Sequence, residues 1–277
     1  MNSSEIISTC RKGYTSLCVL AFITDICNKS CWYCYNKIPD QYKELDLSVF
    51  NAYIEFLKTK RSDIDIELIG GEPSCHSKIV EFCKNCKAAN MSMYTNFSKE
   101  LPLYEQLANN GMKFDITYHT GNSTTLDNIY AIDVNSIIGI TVMLDPTTFD
   151  NDIGVYTELK KSFPKLDVDV QLVFIKDQVC DKYTADQLKI YDNLLLNDDS
   201  AFFEVKYKNT SELVTHNKLY ELTKQHFKYW KCNAGKDLLY VHSNGNVYNC
   251  DGYFNARKPP LFNLYAGFKY INKATFC

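Results

Sequence analysis

Leu17-Cys18-Val19-Leu20-Ala21-Phe22-Ile23-Thr24 runs straight into Asp25-Ile26-Cys27-Asn28-Lys29-Ser30-Cys31-Trp32-Tyr33-Cys34. The first half is an apolar run of strand length. The second half holds three cysteines within eight residues, spaced C-x3-C-x2-C. Three thiolates can hold three corners of a [4Fe–4S] cube, whose irons are bound by Cys sulfur. A four-iron cube needs four ligands, so three leave one iron free for a ligand that is not protein. Two blander readings stand beside this one. Structural zinc takes four closed ligands, typically as two C-x2-C-like pairs, and no matching Cys/His group lies close by. A disulfide scaffold belongs to small secreted chains. This chain has 277 residues and opens on the polar, acidic Met1-Asn2-Ser3-Ser4-Glu5 instead of a secretory leader.

Around that stretch, short apolar runs alternate with helix-length segments, which predicts βα units and a parallel sheet. Strands are expected at Leu17–Thr24, Ile64–Ile69, Met91–Thr95, Lys113–His119, Ser136–Leu144 and Val168–Ile175. Helices are expected at Ser48–Lys60, Lys78–Ala89, Leu103–Asn110, Thr125–Ala131 and Val155–Phe163. Six strands with right-handed crossovers predict an α/β fold, a partial (β/α)6 TIM-like barrel. In βα barrels the chemistry collects at the C-terminal ends of the strands, and the cysteine loop lies there. After Lys176 the pattern changes. Tyr183–Leu196 and Ser211–Tyr229 read as helices, followed by a β-like tail punctuated by Gly and Asn. A boundary near residue 215 gives a core over 1–215 and a small C-terminal unit over 216–277.

Composition narrows the class. A hydrophobic fraction of 45% is that of a globular chain. The net charge is −3 with both signs interspersed, so no basic face for nucleic acid is expected. The longest apolar runs are strand-sized, so no membrane span is expected. Twelve cysteines without a leader read as metal ligands and free thiols in a reducing, cytoplasmic compartment. Cys83 and Cys86 fall inside a predicted helix and read as structural cysteines, because redox C-x2-C pairs sit at a helix N-terminus.

Three further segments carry chemistry. The second strand runs into Gly70-Gly71-Glu72-Pro73, where two glycines permit a sharp turn and close backbone approach to a ligand. A carboxylate there could hold an amino group; the plain alternative is an ordinary strand-ending turn. The third strand ends Tyr94-Thr95-Asn96-Phe97. In the fourth, Phe114-Asp115-Ile116-Thr117-Tyr118-His119, side chains alternate between faces. Phe114, Ile116 and Tyr118 are expected against the helices, and Asp115, Thr117 and His119 inside the barrel. By the same parity Glu67 and Gln171 project inward. His119 is then a candidate catalytic or ligand-contacting residue, its alternative being a satisfied structural histidine. Cys75, two residues beyond Pro73, is a candidate hydrogen-atom donor to a substrate radical, or an unremarkable loop thiol. In the tail, Leu238–His242 and Val247–Cys250 flank Ser243-Asn244-Gly245-Asn246 and read as a β-hairpin. A hairpin would bring Cys232 and Cys250 together at its open end, as metal ligands or as buried structural cysteines.

The C-x3-C-x2-C spacing, with an aromatic before the last Cys, resembles the cluster motif of the radical S-adenosylmethionine (radical SAM) superfamily. Gly70-Gly71-Glu72, one βα unit later, resembles that family's GGE motif, and Thr95-Asn96 its T-N-G element, with Phe97 where glycine is usual. The resemblance implies that Cys27, Cys31 and Cys34 hold a SAM-cleaving [4Fe–4S] cluster. It implies further that Gly70, Gly71, Glu72, Pro73, Thr95, Asn96 and His119 lie around SAM. The tail pattern C-x12-G-x4-C, with Leu261-Phe262-Asn263-Leu264 after it, resembles the opening of SPASM/twitch auxiliary-cluster domains. This implies a second [4Fe–4S] cluster on Cys232, Cys250 and Cys277, its fourth ligand left open. Such enzymes act on peptides or protein side chains, which ranks first here. A small molecule such as a sugar or aminoglycoside precursor ranks second, and a non-catalytic metal-binding partner protein third. An electron donor such as flavodoxin or ferredoxin is implied. The chain starts about a dozen residues before its first strand, so no N-terminal leader-peptide-binding domain is expected.

Overall fold

The structure, a computed structural model, describes residues 6–10, 16–34, 43–86, 88, 90–175, 178–196, 203–207, 210–214, 231–232, 236–249, 259–271 and 275–276. In chain order its elements begin β1 (Ile6–Cys10), β2 (Leu17–Thr24), α1 (Leu47–Lys58), β3 (Ile64–Gly70), α2 (Ile79–Asn85) and β4 (Asn90–Thr95). They continue α3 (Leu101–Asn109), β5 (Met112–Tyr118), α4 (Ser123–Ala131), β6 (Ile137–Leu144), α5 (Phe149–Ser162) and β7 (Asp167–Leu172). Then come β8 (Phe174–Ile175), β9 (Gln178–Val179), α6 (Ala185–Leu196), β10 (Phe203–Tyr207) and β11 (Ser211–Val214). The tail supplies β12 (Lys231–Cys232), β13 (Leu238–Val241), β14 (Asn246–Tyr248), β15 (Phe262–Asn263) and β16 (Thr275–Phe276).

β2 to β7 lie side by side in chain order, all parallel, each successive pair joined through a helix. This is the mixed α/β architecture of a partial TIM-like barrel. Alternation assigns the faces. Met112, Phe114, Ile116 and Tyr118 of β5 are buried, while Asp115 and Thr117 point the other way and are half-buried. The helices cover the apolar face. In α1, Leu47, Phe50, Tyr53, Ile54 and Leu57 are buried at helical spacing. Burying each such side chain is worth about 1.5–3 kcal/mol. Asp46 caps this helix, its carboxylate accepting from Ser48 N at 2.9 Å.

The sheet does not stop at β2. β13 pairs with it in parallel, Leu238 opposite Cys18 and Val241 opposite Ala21, and β14 and β15 extend the sheet antiparallel. Leu239, Val241, Val247, Phe262 and Leu264 join the same core cluster as the barrel strands. The expected hairpin is therefore present, and it completes the barrel sheet beside the first strand. Its turn needs Gly245, at φ +80, where an added Cβ would lie 2.6 Å from the Tyr265 ring. The Tyr265 hydroxyl in turn accepts from Asp46 N at 3.1 Å, tying the tail to the start of α1.

Four expectations are corrected. Ser211–Val214, read as the start of a helix, is a strand antiparallel to β10, with β1 on β10's other side; this three-stranded sheet was not anticipated. Pairing to distant strands overrides the local helical pattern there. The strand expected over Val168–Ile175 ends at Leu172, and Phe174–Ile175 turn back onto Gln178–Val179 as a separate hairpin. The helix expected from Val155 starts at Phe149, where the chain past Pro146 is free to turn helical. The helix expected to reach Ala89 stops at Asn85, with Cys86 extended at φ −75, ψ 127.

Candidate active site

A cavity of about 320 Å³ opens at the C-terminal ends of the barrel strands, beneath the cysteine loop. Cys27, Cys31 and Cys34 line it together with Gly70, Gly71, Glu72, Thr95, Asn96 and His119. Ile69, Tyr94, Thr117, Met143, Gln171 and Leu172 line its barrel side, and Phe174 of the β8–β9 hairpin also borders it. Cys27 and Cys34 are exposed and Cys31 half-buried.

The loop's first half is held by the second motif. Gly71 N donates to Thr24 O at 2.7 Å, and Glu72 N to Ile26 O at 2.8 Å. A Cβ on Gly70 would lie 2.5 Å from Thr24 O, and one on Gly71 2.5 Å from Ile26 O. What approaches the two glycines so closely is the backbone leading into the cysteine loop. Glu72 is buried, 1% exposed. Its Oε1 accepts from Ser74 N (3.1 Å), Ser74 Oγ (2.6 Å) and Thr95 Oγ1 (2.7 Å), and its Oε2 from Asn96 N (2.7 Å). Burial pushes this carboxyl up against the opposing pull of those donors. Pro73 starts a short 3-10 turn that presents the Ser74 donors.

Asn96 ties the third strand to the loop. Its Nδ2 donates to Asn28 Oδ1 at 2.9 Å, and Asn28 Nδ2 donates to Ser98 Oγ at 2.9 Å. Phe97 adopts the left-handed backbone, φ 52, that glycine provides without strain. Its ring is fully buried, 3.9 Å from Tyr104 and 5.1 Å from Phe114 between centroids. Core packing thus holds an aromatic residue in a conformation that favours glycine.

The loop's second half meets the far strands. Tyr33 Oη and His119 Nδ1 share a hydrogen bond of 2.7 Å, and Cys31 Sγ lies 4.0 Å from the same nitrogen. Burial, assisted by Lys29, pushes His119 down to about 4, so its ring is neutral near pH 7. Burial likewise raises the Tyr33 phenol. Trp32 Nε1 donates to Asp145 Oδ2 at 2.7 Å, and Lys182 Nζ sits 4.2 Å from the Trp32 ring centroid.

The donor set fits a cube. Burial is the largest influence on Cys27, pushed up to about 11, and on Cys31, also raised; Cys31 adds to the first shift and Cys34 to the second, so the sulfurs sense one another's charge. Among the described residues no three His, Cys, Asp or Glu converge on a single ion. A cube takes each thiolate on a different iron, so such convergence is not required. Cys75 does not line the cavity; it lies beside Lys99 and Glu72, near the Asn28 backbone. Cys232 stands in β12 opposite Thr275 of β16, while Cys250 and Cys277 lie outside the described residues. Tyr94 and Met143 were missed, although the parity applied to β5 would have found both. Asn28, Asp145 and Lys182 leave no signature in the sequence.

Residues 22–168 match the radical SAM superfamily, more than half of the chain, and the chain belongs to that superfamily. It is accordingly a radical SAM enzyme, using a [4Fe–4S] cluster and S-adenosylmethionine. Two solved structures share the fold. BtrN in complex with AdoMet and 2-DOIA is 18% identical, with TM-score 0.51, over 91% of this chain and 79% of BtrN. anSMEcpe with bound AdoMet is 15% identical, with TM-score 0.60, over 90% of this chain and 78% of anSMEcpe. No curated protein sequence matches the chain. No helix among the described residues is long and apolar enough to cross a membrane.

Proposed function

We propose that Cys27, Cys31 and Cys34 hold the SAM-cleaving cluster and that the enzyme abstracts hydrogen from a peptide or protein side chain. The observation that carries this is the placement of all three thiols on one cavity with Gly70–Glu72, Thr95 and Asn96. When bound, the cluster and SAM supply the hydrogen-abstracting chemistry, and the protein supplies binding and orientation. The Gly70–Gly71 backbone and the less occupied Oε2 of Glu72 take the SAM amine. Neutral His119, steadied by Tyr33, offers its other ring nitrogen to SAM or substrate. An exposed apolar rim of Trp32, Phe174, Ile175 and Val179 beside the mouth suits a peptide. The small-molecule reading draws on the polar Thr117, His119 and Gln171 within the cavity.

Cys232, Cys250 and Cys277 hold a second, auxiliary cluster in a C-terminal unit over 216–277. Two observations support this: the β13–β14 hairpin, and the pairing that sets Cys232 opposite Thr275, two residues before Cys277. A flavodoxin- or ferredoxin-like donor supplies electrons.

Iron, sulfide and deoxyadenosine are measured after anaerobic reconstitution, in wild type and in Cys27→Ala/Cys31→Ala/Cys34→Ala. The expected result is about eight irons in wild type, about four in the variant, and deoxyadenosine from wild type alone. About four irons in wild type and none in the variant would remove the auxiliary cluster. Transfer of deuterium to deoxyadenosine from a labelled peptide, or from a labelled sugar, separates the two substrate readings.

A further inference from the structure

Trp32 stands between Cys31 and Cys34 in the cysteine loop. Its indole is 42% exposed, yet three groups fix it. Asp145 Oδ2 accepts its N–H at 2.7 Å, Lys182 Nζ sits over the ring at 4.2 Å, and Tyr33 meets it edge-on at 5.3 Å and 85°. Asp145 is itself anchored. Its Oδ1 accepts from Thr147 N (2.9 Å) and Thr147 Oγ1 (2.6 Å), and its own N–H donates to Asp152 Oδ2 at 3.0 Å. Asp152 is fully buried and accepts from Thr120 Oγ1 (2.6 Å) and Thr148 Oγ1 (2.9 Å). A line of hydrogen bonds thus runs from the ends of β5 and β6, through a buried carboxylate, to the one side chain between Cys31 and Tyr33.

We propose that Trp32, Asp145 and Lys182 form a strut that positions the Cys31–Cys34 half of the loop before the cluster arrives. Trp32 and Asp145 are positioning residues, since neither touches the reacting atoms. The cysteine loop has no regular structure of its own, and Cys34 is exposed. Thr24–Ile26 are fixed by main-chain bonds, but no such bond reaches from another strand to Trp32 among the described residues. The strut adds to the Tyr33–His119 bond and to the turn closed from Cys34 N to Cys31 O at 3.1 Å. Outer groups that orient metal ligands typically change metal retention by about 10–100-fold when removed. The inference rests on the assignment of Cys31 and Cys34 as cluster ligands, and its test separates the two.

The chain has two tryptophans, so Trp230→Phe leaves Trp32 as the only fluorophore of its kind. In this metal-free full chain, Asp145→Ala is expected to increase acrylamide quenching of Trp32 and red-shift its emission. Lys182→Met, which keeps the side-chain stem, does so less. In the reconstituted full chain, Trp32→Ala and Asp145→Ala are expected to release the site's iron to a chelator about tenfold faster and to shift its midpoint potential. Trp32→Phe keeps the ring and falls between. Asp145→Asn, which retains an acceptor oxygen, restores most of the retention. Wild-type quenching in Asp145→Ala, or wild-type iron release and potential despite altered quenching, overturns the strut. A wild-type chain that binds no iron overturns the cluster assignment instead, and the quenching result still decides whether the strut exists.

Discussion

From Thr24 to Ile26 the chain entering the cysteine loop is tied to the Gly70–Glu72 turn by main chain, and from Cys31 to Cys34 the loop is tied to the far strands by side chains. The first half receives backbone hydrogen bonds at 2.7 and 2.8 Å from Gly71 and Glu72. The second half closes on itself from Cys34 N to Cys31 O at 3.1 Å and reaches the rest of the fold through side chains, among them Trp32 to Asp145 and Tyr33 to His119, each 2.7 Å. The first is specified by missing atoms, because a Cβ at either glycine would strike a carbonyl at 2.5 Å. The second is specified by particular functional groups. Damage to the first half should therefore propagate through the backbone, whereas damage to the second should be local and graded.

Gly71→Ala tests the main-chain half most severely. The added Cβ meets Ile26 O and C and Asp25 O within 2.8 Å, all of them backbone. A loss of about 3 kcal/mol in denaturant unfolding is expected, with little iron retained. Wild-type stability would remove the contrast between the halves. Glu72→Gln comes next. An amide sets its own N–H groups against a site built entirely of donors, for an expected loss of about 2 kcal/mol. Tyr33→Phe removes one hydroxyl and leaves His119 Nδ1 without its 2.7 Å partner. An effect of about 1 kcal/mol is expected, with the fold intact by circular dichroism and SAM cleavage slowed.

The smallest effect is a pH dependence at buried His76, which ends the Pro73–Cys75 turn after the glycine pair. His76 Nδ1 accepts from Lys78 N at 3.1 Å, so Nε2 carries the proton and donates to Leu45 O at 2.9 Å. Burial holds its pKa below the ordinary 6.5. The unfolded chain therefore takes up a proton first as pH falls below 6.5, and stability declines over that range. Comparing urea midpoints at about pH 7.5 and about pH 5.5, His76→Gln should show a shallower decline than wild type. An equal slope in the two proteins would exclude His76 as its source.

The sequence was most legible where geometry demands a missing atom or a strict period. Gly70-Gly71 announced a close approach, and the backbone of residues 24–26 lies against both glycines. The alternation in β5 set Thr117 and His119 on the cavity, because period two leaves a strand little choice once one face is buried. Phe97 looked like a departure from a glycine pattern, yet it keeps the glycine-like φ of 52. Distant partnerships were not legible. Trp32 and Asp145 are separated by more than a hundred residues, and nothing local to either foretells the bond. The strand at Ser211–Val214 was misread for the same reason, since its partner β10 decides its conformation.

The parallel pairing of β13 with β2 also has a consequence for synthesis. Leu238 becomes the neighbour of Cys18 only after about 220 further residues have been made. At about 5–20 residues per second, the apolar β2 edge waits roughly 10–45 s on the ribosome before its partner emerges. Throughout that interval the nascent chain displays the strand that leads into its cysteine loop, with an unpaired edge open to other chains. Yield in the cell should therefore respond to chaperone supply and to translation speed.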